Sequence, residues 1–210
     1  MLNYNDKSYV WVRGLVSLLA LPLVLLTSGP ASAGKQELFD LVRSPALNTS
    51  PACVPQARGH AILQSFGPAE QLVVNVEGLP PNTDFDFFVI QVPNGPFGMS
   101  WYQGDIETNN QGMGSGVFIG RFSIETFVVA PGSTAAPLTF HNAFPSVSPN
   151  PATGPIQMYH LGLWFNSPSD AQNAGCPNTV TPFNGEHNAG VQVLNTSNFP
   201  DLKGPLIKVK

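Results

Sequence analysis

The chain has 210 residues, 9 of them basic and 13 acidic, for a net charge of −4. Only 10% are charged, against about a quarter in an ordinary globular domain, so the surface must be built from neutral polar residues and turn formers. This acidic, charge-poor balance argues against nucleic acid and anionic membrane surfaces as partners, since both select basic faces.

The first residues read as an export signal. Lys7 and Arg13 give a positive start, Gly14 to Leu26 is almost wholly apolar, and Ala31-Ser32-Ala33 supplies the small residues of a cleavage site. The apolar stretch carries Pro22 and is shorter than the roughly 20 residues of a spanning helix. Residues 1–33 are therefore expected to be a signal peptide cut after Ala33, and the mature chain to be secreted and extracellular, with no membrane insertion after cleavage. Losing Lys7, Arg13 and Asp6 leaves 7 basic and 12 acidic residues, a net charge of −5.

Residues 34–58 read as an N-terminal extension with one helical-looking patch, Glu37 to Arg43, ended by Pro45. Cys53 and Cys176 are the chain's two cysteines. An even pair in an oxidising compartment predicts a disulfide. Closing a loop of more than about 100 residues contributes on the order of 4 to 5 kcal/mol in the chain-entropy model.

From Gly59 the pattern changes to a period of two. Gly59 to Phe66 and Glu70 to Glu77 flank the turn signal Gly67-Pro68, and Leu72, Val74 and Val76 share one face. Asp84 to Val92 follows, with Phe85, Phe87 and Val89 on one face and a second face that turns apolar at Phe88. Ser100 to Thr108 and Gly116 to Val129 flank a Gly/Asn-rich hairpin tip. Gln157 to Phe165, Val191 to Leu194 and Leu206 to Val209 complete the expected strands. Two long loops, 131–155 with six prolines and the polar 166–190, interrupt them. Short runs divided by turn residues predict a mostly β fold over 59–210: a single antiparallel β-sandwich with long loops and one disulfide.

Gly78-Leu-Pro-Pro-Asn-Thr-Asp-Phe-Asp-Phe-Phe-Val89 resembles the fibronectin type III signature, with Leu79, Pro81, Thr83, Phe85, Phe87 and Val89 at its alternating places. Phe85 stands where the family has a tyrosine, so the hydroxyl of a tyrosine corner is missing. The resemblance, which covers a dozen residues, implies an immunoglobulin-like sandwich corner of the kind found in bacterial secreted modules.

Chemistry is sparse. No serine lies in G-x-S-x-G, no C-x-x-C occurs, and none of His60, His141, His160 and His187 lies in H-E-x-x-H. A sandwich can gather ligands from distant strands, so a metal site would draw on His141, His160 and His187, with Glu186 as neighbour. The plainer reading keeps His160 as a strand residue and the others in loops. Asp84/Asp86 and Asp105/Glu107 each share one strand face, a pattern that serves solubility more often than glycoside hydrolysis or Ca²⁺ binding. Trp101 and Tyr102 carry the binding signal, because exposed aromatics stack on sugar rings or fill protein pockets. The expected role is a secreted, non-enzymatic module without a cofactor that binds a glycan, a surface polymer or a protein partner. A histidine-based metal-dependent enzyme or metal carrier is the alternative, and a structural envelope or matrix protein a third.

Overall fold

Alternating apolar and polar residues dictate most of the architecture. The computed structural model describes residues 34–126, 155–184 and 187–208. In chain order the first six strands are β1 (Gln36–Arg43), β2 (Arg58–Ser65), β3 (Glu70–Glu77), β4 (Asp84–Ile90), β5 (Ser100–Glu107) and β6 (Gly114–Gly120). The short β7 (Ile124–Thr126) and β8 (Pro155–Gln157) pair with each other. Then come β9 (His160–Phe165), helix α1 (Pro168–Asn173), the paired β10 (Thr181–Asn184) and β11 (His187–Ala189), and β12 (Gln192–Asn195).

Eight strands hydrogen-bond as one sheet in the order β5-β4-β9-β12-β1-β2-β3-β6. Its two end strands are consecutive in sequence and meet at the Thr108–Gly114 bridge, so the antiparallel sheet is nearly closed into a barrel. Inside lie Leu72, Val74 and Val76 of β3, Phe85, Phe87 and Val89 of β4, and Leu161, Leu163 and Phe165 of β9. Each fully buried side chain of this kind stabilises the fold by roughly 1.5 to 3 kcal/mol. A second, smaller cluster sits outside the sheet, where Phe88 and Ile90 meet Trp164, Ala189 and Phe97. That explains why β4 is apolar on both faces beyond its first residues.

The expected arrangement of two packed sheets gives way to one continuous sheet, and β1 is the reason. Its residues Gln36 to Leu41 pair with β2, while Val42 and Arg43 pair with β12. One strand thus joins β2-β3-β6 to β5-β4-β9-β12. The segment expected as a helical patch in an extension is this strand, with Phe39 and Leu41 turned into the core. Two boundaries also differ. The run Gly116 to Val129 is divided: β6 ends at Gly120 and β7 begins at Ile124. Between them buried Glu70 accepts hydrogen bonds from the Phe122 and Ser123 amides and turns the chain, while residues 127–129 lie outside the described residues. In place of the strand expected from Leu206 there is a 3-10 turn over Pro205–Lys208, and Val209 lies outside the described residues.

The fibronectin-like stretch forms a tight corner before β4. Gly78 has φ +70°, and a Cβ there would lie 2.2 Å from the Gln56 carbonyl oxygen. The Thr108 hydroxyl, at the far end of β5, accepts from the Thr83 amide at 3.0 Å and donates to the Pro80 carbonyl at 2.6 Å. At the gap between β5 and β6 the Phe118 ring stacks on Phe87 with centroids 5.0 Å apart. It fits because Gly104, at φ +148°, has no Cβ; one would lie 3.1 Å from that ring.

Cys53 and Cys176 form the expected disulfide, closing a sequence separation of 123 residues. Arg43 draws the same loop inward, its guanidinium donating to the carbonyls of Leu47, Ser50 and Cys53. Replacing both cysteines by alanine is expected to cost on the order of 4 to 5 kcal/mol of unfolding free energy. Denaturant melts of the two proteins measure it, and an unchanged midpoint contradicts the account.

Candidate functional site

Trp101 and Tyr102 sit on β5, an end strand of the sheet, and are 45% and 46% exposed. The pairing of β4 with β5 shifts between Phe87 and Phe88, so Gln103 is an extra residue on β5. Trp101 stands opposite Val89 and Tyr102 opposite Phe88. The two rings therefore leave the strand on different faces and form no single platform. Tyr102 packs edge-on against Phe88 at 5.5 Å, and its hydroxyl donates to Asp105 Oδ1 at 2.5 Å. Burial, the bond to Asp105 and the charges of Asp105, Asp86 and Asp84 all push the phenol above its ordinary pKa.

The two carboxylate pairs read from sequence come together. Asp84 is the cross-strand partner of Glu107, and Asp86 of Asp105, which places four acids on the outer face of β4 and β5. Asp86 is buried at 2% exposure opposite Trp164. Asp84 is held above the usual carboxylate range, first by burial and then by Asp105, Glu107 and the α1 residue Asp170, while the Phe85 amide opposes the shift. The acids share one sheet face, on which Asp86 is covered and Asp84 partly so, and do not stand on two sides of a cleft.

At the far end of β5 this face runs into a groove of about 580 Å³ lined by His60, Asn75, Glu77, Glu107, Asn109 and Met113. Four strands build it. His60, Asn75 and Ser115 are successive cross-strand neighbours on β2, β3 and β6, and Glu107 enters from β5. An adjoining hollow of about 470 Å³ shares His60 and Glu77. Sequence reasoning missed this groove because it depends on register: His60 and Asn75 become neighbours only when β2 and β3 pair. The one legible signal was the Gly/Asn-rich tip between β5 and β6.

His160 is fully buried, and both its ring nitrogens have protein partners. Its Nε2 lies 2.8 Å from the Asp201 carbonyl oxygen, which can only accept, so Nε2 carries the proton. Nδ1 then accepts from the Thr196 hydroxyl at 2.9 Å. His141 and Glu186 lie outside the described residues, and His187 is placed only as a backbone partner of Asn184. Among the described residues no three His, Cys, Asp or Glu side chains are grouped to hold a metal ion. Nor, among them, is any helix long and apolar enough to cross a membrane.

No protein-family model matches the chain, and no curated protein matches it either.

Burial lowers the His160 pKa below its ordinary value. The unfolded chain therefore takes up this proton at a higher pH than the folded one. The stability tied to neutral His160 is complete above about pH 6.5 and is lost as the pH falls from there through the folded value. In His160→Gln this loss disappears, so thermal melts at pH 7.5 and 5 differ less for the variant than for the parent. Equal differences contradict the assignment.

Proposed function

We propose that the chain is an exported binding module that engages a neutral glycan along the outer face of β5. The carrying observation is the run Tyr102, Asp105 and Glu107 on that face, leading into the groove of His60, Asn75 and Asn109. A half-exposed aromatic ring offers a surface to the C–H face of a sugar, and carboxylates and amides accept and donate to its hydroxyls. From Tyr102 to Glu107 the strand spans about 16 Å at roughly 3.3 Å per residue, the length of about three sugar units. The disulfide and the leader-like residues 1–33 support an extracellular setting.

The acids do not favour hydrolysis. A glycosidase needs one carboxyl on each side of the scissile bond, about 5 to 9.5 Å apart, whereas these four share one face of two paired strands. Binding without turnover is the reading that fits this placement.

Isothermal titration against a panel of soluble polysaccharides tests it. Tyr102→Ala is expected to weaken binding about five- to thirtyfold, the loss of a stacking aromatic being worth roughly 1 to 2 kcal/mol. Trp101→Ala, on the other face of the strand, should change it less. A ligand bound equally well by the Tyr102 variant, or binding confined to a protein partner, overturns the reading.

A further inference from the structure

The sulfur groups of this protein differ sharply in their access to solvent. Cys53 and Cys176 are joined in the disulfide, which leaves the thioethers. The chain has four methionines, of which Met99, Met113 and Met158 fall among the described residues. Met99 is 6% exposed and Met158 0%, and both belong to the main apolar core. Met113 is 42% exposed and lines the groove together with His60, Asn75, Glu107 and Ser115. The hairpin tip that carries it is closed through the backbone and Asn109. The Asn109 amide donates to the Met113 carbonyl at 2.8 Å, and the Met113 amide donates to Asn109 Oδ1 at 3.1 Å. The Gly112 amide adds a bond to the Asn109 carbonyl at 3.0 Å. Chemistry at the Met113 sulfur therefore changes the groove wall without breaking a bond that holds the tip.

We propose that Met113 is a modification site for peroxides, and that its sulfoxide form weakens ligand binding in the groove. The sulfur lone pair attacks one oxygen of hydrogen peroxide. The O–O bond breaks, an S–O bond forms, and the second oxygen leaves with both protons as water. Sulfur gives up an electron pair and the peroxide is reduced by it. A methionine at the surface meets the oxidant directly, whereas one in the core meets it only when the structure opens. An exported chain encounters such oxidants outside the reducing cytoplasm. The product is polar where the thioether was apolar, so the groove loses an apolar contact for the C–H face of a sugar. The new oxygen is an acceptor for the Asn75 amide and the Ser115 hydroxyl, which line the same groove and otherwise serve the hydroxyls of a ligand. The effect on affinity rests on the glycan reading above; the place of oxidation does not.

Peptide mapping by mass spectrometry, after brief exposure of the folded full chain to hydrogen peroxide, tests the site. The expected result is one added oxygen on Met113, with Met99 and Met158 modified at least about tenfold more slowly because they react only through opening. In denaturant all three react alike, which makes burial the cause of the difference. Equal rates in the folded chain, or a Met113 that stays unmodified, overturn the proposal. Isothermal titration with a glycan selected from the panel then reads the consequence. The oxidised chain is expected to bind it about three- to fivefold more weakly, the loss of one small apolar contact, and peroxide no longer alters the affinity of M113L. A glycan bound equally by both forms overturns the effect on binding, and so does a peroxide effect that persists in M113L. A panel without any glycan ligand defeats the glycan reading and the affinity effect with it, while the peptide map still decides the site of oxidation.

Discussion

The structure depends on one strand making two pairings. β1 serves β2 over Gln36 to Leu41 and then β12 at Val42 and Arg43. Without that change of partner, the two sets of strands would be separate sheets, each with extra edges of unpaired N–H and C=O groups. The junction is fastened by buried polar groups. The Ser44 amide donates to the Val193 carbonyl at 2.9 Å, and the Ser44 hydroxyl to Gln192 Oε1 at 2.7 Å. Asn195 Nδ2 donates to the same Gln192 oxygen and to the Pro93 carbonyl. Buried polar groups are costly unless satisfied, and when satisfied they fix a single arrangement. Here they select the place where the sheet crosses from one half to the other.

The candidate site follows from that closure. Once β1 joins the halves, the sheet curls until β5 returns beside β6, and Glu107 arrives next to His60, Asn75 and Ser115. Phe118 fills the remaining gap over Gly104, so the two end strands come close without a continuous ladder. The ends are guarded differently. β5 carries a bulge and two acids, devices that keep an edge from pairing with another chain, whereas β6 reads Gly-Ser-Gly-Val-Phe-Ile-Gly with no charge and no proline.

Much of the strand content was legible because alternation is a local property. β3 occupies the predicted Glu70–Glu77, and β4 and β5 begin at the predicted Asp84 and Ser100. The disulfide was legible because the chain holds only two cysteines. The mixed string Glu37 to Arg43 was not: its apolar residues fit a helical turn as well as a strand, and only the partners β2 and β12 decide between them. The groove was illegible for the same reason. His60, Asn75, Ser115 and Glu107 lie on four strands, and their meeting is a fact of register, which no single-strand pattern contains. The metal reading drew on His141, His160 and His187; of these, His160 has its two ring nitrogens taken up by Thr196 and Asp201, a long-range contact invisible in sequence.

Native-state amide hydrogen exchange across β1 is the most direct test that this strand holds the barrel together. The account predicts that the hydrogen-bonded amides of Phe39 to Arg43 exchange only through global unfolding, with the same opening free energy as those of β3 and β9. Amides of β1 that exchange at a clearly lower free energy, while β3 and β9 stay protected, would show it to be a detachable extension and contradict the account.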